Sequence, residues 1–284
     1  MARKRKNKNA SLGDYINIAL LTSTLIAIVA GIVFLLMNKD ENFVLNSVDL
    51  CPTAGAVATV ALLLDTTDEI SGTTKQDIQN RALQELELLP RFYRLSLYTM
   101  NDKGLDPTPV VTLCNPGQLT DMGQLGQKGI TANPRMIQEK YDDFSSRITN
   151  ATDEILNASF EGQQSPLLSA LQELSLLLPK SVALNAQGYP ADRNKIIYIT
   201  DLMEHTDIFS IFRSKDDLGA FQDSRATEKF SKQYKEDLEF WVIKRDFKGI
   251  STNDLMQFWG KIFVNEFGFP QNQNLEMSLL IGEI

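Results

Sequence analysis

From Ile16 to Met37 the chain carries no charged residue, and this run of 22 residues constrains the rest of the reading. At about 1.5 Å of helical rise per residue it covers the roughly 30 Å of bilayer hydrocarbon. Ahead of it stand Arg3, Lys4, Arg5, Lys6 and Lys8; just behind it come Lys39, Asp40 and Glu41. The positive-inside rule then puts the N-terminus in the cytoplasm and residues 38–284 on the far side. A cleaved signal peptide is the rival, but its apolar region runs to about 7–15 residues. The polar, bulky Asn38-Lys39-Asp40-Glu41-Asn42 also offers no small-x-small cleavage site. A buried core helix is the other rival, and the basic cluster before so long an uncharged run argues against it. The expected order is a basic cytoplasmic head (1–15), a transmembrane helix (16–37), a stalk (38–56), a folded domain (57–268) and a C-terminal segment (269–284).

The charge divides along the same line. The whole chain has 28 basic and 36 acidic residues, a net charge of −8. Five basic residues and Asp14 give residues 1–37 a net +4, which leaves −12 on the exported body. An acidic body excludes a general nucleic-acid binder and would not lie on an anionic membrane surface. A hydrophobic fraction of 43% excludes a disordered chain. With His205 as its one histidine and Cys51 and Cys114 as its two cysteines, the chain lacks the ligands for a zinc or iron–sulfur cluster and is a poor match to a Ser-His-Asp hydrolase. Both cysteines would lie in an oxidising compartment, where a disulfide between them and two unpaired thiols are both open readings. The short head and the single cysteine pair point to a single-pass protein of a bacterial inner membrane, with its body in the periplasm or outside the cell.

From Ala56 strand-like and helix-like segments alternate. Val57 to Leu64 is a nearly continuous apolar run ending at Asp65, the pattern of a strand buried on both faces. A helix is expected over 74–89, with Thr74 as its cap, Ile78, Ala82, Leu83 and Leu86 on one face and Pro90 beyond it. Arg94 to Met100 alternates as a strand, 101–104 is turn material, and Pro109 to Leu113 reads as a short strand. A glycine-rich loop follows over 116–129. Pro134 opens a long helix and Ser165-Pro166 another. Lys195 to Thr200 is a second buried strand, ending at Asp201, and Leu238 to Lys244 a third. Thr252 is expected to cap a last helix whose Leu255, Phe258, Trp259, Ile262 and Phe263 form core rather than a binding box. Such alternation predicts an α/β domain, doubly wound, with a mainly parallel sheet and helices on both faces, preceded by one transmembrane helix.

In such folds the chemistry sits at the carboxyl ends of the strands. There the sequence places Asp65-Thr66-Thr67-Asp68-Glu69, Asp201, and the helix start Ser165-Pro166-Leu167-Leu168-Ser169-Ala170-Leu171. Carboxylates mixed with hydroxyls suit a hard cation such as Mg²⁺, which takes about six oxygen ligands. In this pattern the chain resembles the von Willebrand factor A-type (vWA) domain, whose metal-ion-dependent adhesion site reads Asp-x-Ser-x-Ser after the first strand. Asp65 matches the Asp, Thr67 the first Ser, and Glu69 stands where the second Ser belongs. Ser165 stands where the family has a Thr, with Ala170-Leu171 at the family's offset, and Asp201 matches the Asp ending the fourth strand. The resemblance covers about Val57 to Gly268. It implies a Mg²⁺ held by Asp65, Thr67, Glu69, Ser165 and Asp201, with a partner protein's carboxylate completing the ion's coordination. It implies binding rather than enzymatic catalysis. Glu69 adds charge to the ligand set and puts the metal in question. The resemblance also implies an antiparallel edge strand that returns Cys114 to the face bearing Cys51, close enough for a bond.

Three readings follow. The first is a membrane-anchored, extracytoplasmic protein-interaction module. The second is a structural scaffold of an envelope-spanning complex with a vestigial metal site. The third is a Mg²⁺-dependent hydrolase of the haloacid-dehalogenase kind, which wants Asp-x-Asp where this chain has Asp68 three residues after Asp65. His205 is expected to be a polar loop residue, Ile208 to Phe212 to tuck into the core, and the acidic face to be solvated. The Leu275–Ile284 segment is either a docking element or a last strand.

Overall fold

The computed structural model describes residues 12–37, 45–53, 55–118, 134–158, 162–179, 193–230, 234–269 and 274–283. The chain falls into two units, Met1–Val44 and Leu45–Ile284. The first contains helix α1 (Leu12–Met37), 26 residues long. Its Ser23 and Thr24 hydroxyls donate back to the Leu20 carbonyl, so these polar side chains find partners within the helix. Among the described residues no helix is long and apolar enough to cross a membrane; in α1 the side chains are described only from Leu20 to Val33.

The second unit is α/β. In chain order it runs β1 (Thr59–Asp65), α2 (Gly72–Leu88), β2 (Arg94–Asn101), β3 (Gly104–Leu105), β4 (Val111–Cys114), α3 (Pro134–Leu156), α4 (Leu167–Leu177), β5 (Lys195–Thr200), the short helices α5 (Ile211–Ser214), α6 (Leu218–Gln222) and α7 (Ala226–Phe230), β6 (Asp237–Lys244), α8 (Thr252–Lys261) with a π-helical turn Ile262–Glu266, and β7 (Leu275–Glu283). The seven-stranded sheet has the order β3-β2-β1-β5-β6-β7, and β4 also pairs with β2. The ladders between β2, β1, β5, β6 and β7 are parallel; β3 and β4 run antiparallel to β2. Right-handed crossovers through helices are the expected solution for such connections.

Period-two alternation explains why the central strands read as continuous apolar runs. Val60, Leu62 and Leu64 of β1 pack with Ile197 and Ile199 of β5, Trp241 and Ile243 of β6, and the buried sides of α2 and α3. Ala61 and Leu63 face the other way, with Ile196, Tyr198, Phe240, α4 and α8. A strand apolar on both faces belongs inside a sheet covered on both faces. The apolar residues of α8 and the π-helical turn are core as expected: Leu255, Phe258, Trp259, Ile262 and Phe263 are buried, and so are Phe209 and Ile211.

Several boundaries differ from the sequence reading. Ser71, not Thr74, caps α2 and accepts from the Thr74 amide. Ser251, not Thr252, caps α8, in a reciprocal box with Asp254. In both cases the hydroxyl just upstream has the extended backbone that a cap requires. Residues 45–53, expected as stalk, fold against the base of the sheet. The Cys114 amide donates to the Asp49 carbonyl at 2.8 Å, Arg147 to the Val48 carbonyl at 3.0 Å, and Leu50 is buried. The C-terminal segment, set apart at 269–284, carries β7, a parallel partner of β6. Most of the glycine-rich loop lies outside the described residues.

Cys51 and Cys114 form a disulfide, with Cα atoms 4.7 Å apart. Cys114 pairs with Arg94 at the start of β2, so the bond lies at the amino-terminal end of the parallel sheet.

Candidate functional site

At the carboxyl ends of β1 and β5 the chain leaves the sheet with Asp65 and Asp201, both buried. Asp65 is saturated by short-range donors. Its Oδ1 accepts from the Thr67 amide at 3.0 Å and the Thr67 hydroxyl at 2.7 Å; its Oδ2 accepts from Thr200 at 3.1 Å and Ser165 at 3.3 Å. Asp201 Oδ1 accepts from the Met203 amide at 2.9 Å. Four of the five residues predicted for the site therefore converge: Asp65, Thr67, Ser165 and Asp201. Glu69 does not join them; it is exposed, pointing out of the loop while Ile70 behind it is buried.

The residue that sequence reasoning missed is Arg245, the first residue after β6. Its Nη1 donates to Asp201 Oδ2 at 2.6 Å and to Asp68 Oδ2. A guanidinium thus sits between two of the three aspartates. The sequence held a signal for it. The rule that drew attention to the residues after β1 and β5 applies equally to β6, and Arg245 follows that strand directly.

Glu204 was also missed. It is 1% exposed, and its Oε2 accepts from the Leu168 amide in the first turn of α4 at 2.9 Å. Pro166, the residue before α4, has no side chain able to cap it, so a carboxylate from a distant segment takes that role, where the helix dipole favours negative charge. His205 holds the same loop. Its amide and carbonyl exchange hydrogen bonds with Ser165 at 2.8 and 3.0 Å, its ring bonds Ser210 through Nδ1 at 2.7 Å, and the ring meets Phe212 edge-on. It is a structural brace for Ser165. Gly162 closes the other side: a Cβ there would lie 2.9 Å from the Thr67 Cβ. Leu202 is held at φ 64°, with its carbonyl accepting from the Trp259 indole at 2.9 Å. Strained backbone of this kind persists where the surroundings over-determine it.

The electrostatics follow from burial. Desolvation, aided by the charge of Asp201, pushes Asp65 up to about 7 against the opposing Thr67 bonds. Burial pushes Glu204 up to about 7 as well, opposed by its bonds from Leu168 and Thr206. Burial also raises Asp201, while Arg245 pulls it down.

The fit to Mg²⁺ turns on these contacts. Asp65 spends both oxygens on protein donors, Glu69 faces away, and Arg245 already supplies positive charge to Asp201 and Asp68. The pocket lined by Asp65, Thr67, Asp68, Ile70, Asp201 and Ile243 has a volume of about 10 Å³, near the least that admits one water. Among the described residues no group of three or more His, Cys, Asp or Glu side chains is arranged to hold a metal ion. The residues present do not fit the ion: a divalent cation added here would meet the repulsion of a guanidinium held within the same carboxylates.

No protein-family model matches the chain, and no curated protein matches its sequence. Solved structures match it weakly. Proximal thread matrix protein 1 from the mussel byssus is 10% identical with a TM-score of 0.37, over 72% of this chain and 41% of that one. The VWA domain of SpRpn10 is 11% identical with a TM-score of 0.39, over 78% and 87%. BatB from Bacteroides thetaiotaomicron is 9% identical with a TM-score of 0.35, over 80% and 91%.

Proposed function

We propose that this chain is a membrane-tethered binding module that holds a protein partner without a metal ion, in the manner of a scaffold subunit. The observation that carries the reading is Arg245, whose guanidinium gives Asp68 and Asp201 the positive charge that a divalent cation would supply. The uncharged run Ile16–Met37 behind five basic residues supports the tether and an exported body. The disulfide agrees with an oxidising compartment.

Binding rather than catalysis is supported by what the reactive groups are doing. Both cysteines are joined to each other. Ser210, bonded to His205, is fully buried, and both Asp65 oxygens are occupied, which leaves no free oxygen for the nucleophilic role of a dehalogenase-type hydrolase. A Mg²⁺-dependent form of the same module is the second reading, favoured by the convergence of Asp65, Thr67, Ser165 and Asp201.

The test is cross-linking and affinity capture of the full chain from membranes, with Mg²⁺ or with a chelator. The same protein complement under both conditions is the expected result, and a partner released by chelator would establish the second reading. Alkaline carbonate extraction tests the tether: the full chain should stay in the membrane pellet, and its appearance in the soluble fraction would remove the anchor.

A further inference from the structure

The last strand, β7, ends the sheet order, and such an edge normally presents a row of unpaired backbone groups. In a parallel ladder alternate residues turn toward the neighbour. The Leu238 amide donates to the Asn274 carbonyl at 2.8 Å, and Leu238 is the Cα partner of Leu275. Leu275, Met277 and Leu279 therefore turn their amides and carbonyls away from β6. Leu279 and Ile281 also leave 41% and 67% of their surface exposed. A nine-residue strand with five apolar side chains and no strand beyond it among the described residues would pair readily with another chain.

Helix α2 closes part of that side. Arg81 Nη2 donates to the Leu279 carbonyl at 2.6 Å, and its Nη1 to the Ser278 hydroxyl at 2.7 Å. Asp77 Oδ2 accepts from the Ile281 amide at 2.8 Å and from Arg81 Nε at 3.3 Å. One donor and one acceptor, a single helical turn apart, thus meet a carbonyl and an amide two residues apart on the strand. That is the pattern a neighbouring strand would offer. The approach needs Gly282, since a Cβ there would come within 2.9 Å of the Thr74 amide. Arg81 also lies over the Trp241 ring, 6.0 Å from its centroid, which holds the guanidinium in place.

We propose that Asp77 and Arg81 are an intramolecular guard on the β7 edge, standing in for a strand and preventing β7 of one copy from pairing with β7 of a second. A copy meeting a copy is the encounter such a guard must prevent, because each brings the same open edge across a two-fold axis. This inference is independent of the strand-end site.

The experiment is light scattering on the purified full chain over a concentration series. The Asp77→Ser, Arg81→Ser variant is compared with the parent and with the same variant carrying Leu279→Pro. Leu279 turns its amide outward, so proline there blocks pairing with a new strand and leaves the β6 ladder intact. The double variant should self-associate at a concentration about tenfold or more below the parent, roughly the effect of 1.4 kcal/mol, and proline should reverse the change. Arg81→Lys, which keeps the charge but cannot reach both oxygens, should fall between and serves if the double variant does not fold. A folded variant that associates no more than the parent overturns the proposal, and so does association that proline leaves unchanged.

Discussion

At the amino-terminal end of the sheet a covalent bond joins Cys51 to Cys114, whereas at the carboxyl end Arg245 ties Asp68 to Asp201 and Asp65 ties Ser165 to Thr200 by charge and hydrogen bonds alone. Both ends tie together segments far apart in sequence. The first tie is indifferent to pH and broken by reductant; the second is indifferent to reductant and sensitive to pH. Burial of Asp201 against a guanidinium that it shares with the more exposed Asp68 is a costly way to hold loops together, since desolvation offsets much of the Coulomb attraction. That cost is what one expects where an arrangement serves something other than stability.

The comparison can be broken most directly by removing each tie in turn, and urea midpoints of the full chain measure both. Cys51→Ser with Cys114→Ser opens a link between residues 63 apart. Loop-closure entropy puts the loss at about 4 kcal/mol, and the pH dependence should be unchanged. Arg245→Leu leaves Asp201 buried without its partner. The expected loss is about 3 kcal/mol, tempered because Asp201 can take up a proton and because Arg245 is partly exposed. The loss should be larger at pH 8 than at pH 6. Millimolar Mn²⁺ should recover part of it in the variant and do nothing for the parent, with heats of binding seen by calorimetry in the variant alone.

A third measurement sharpens the contrast through pH. Asp65 and Glu204 ionise near 7 in the fold, against 3.8 and 4.5 as ordinary values. Between those limits the folded state holds more protons than the unfolded chain. The contribution of these two groups is therefore fully present below about pH 4 and is lost as pH rises to 7. Glu204→Gln should flatten the profile across that window, by on the order of 2 kcal/mol, with the disulfide end unaffected. The smallest effect is at the other end. The Tyr234 hydroxyl, just before β6, is buried without a hydrogen-bond partner among the described residues, so Tyr234→Phe should gain about 1 kcal/mol. A loss there would show that the hydroxyl has a partner in solution.

The sheet was legible because β1, β5 and β6 are apolar on both faces, a pattern that surface elements do not show. Asp65, Thr67 and Asp201 were legible because they follow β1 and β5, and Ser165 because Ser165-Pro166 reads as a helix start. Arg245 carries the same positional signal after β6, but a basic residue there reads as an ordinary solvated end until the fold sets it opposite Asp201. Glu69 was misplaced because spacing along a loop does not determine which side chain turns inward. The caps shifted because a hydroxyl's capping role depends on its backbone angles, which Ser71 and Ser251 adopt and their threonine neighbours do not. The role of Glu204 at α4 depends on a residue 36 positions away, beyond the reach of any local pattern.

The disulfide also fixes where a pull on the chain would be felt. Tension drawn along the backbone from residue 45 reaches Cys51 and there divides between the chain running on to β1 and the bond to Cys114. Part of the load passes into β4, an outer strand paired antiparallel to β2, and only the remainder reaches β1. The central strand is thereby relieved, and β1, whose end positions Asp65, keeps its register while the margin of the sheet bears the strain.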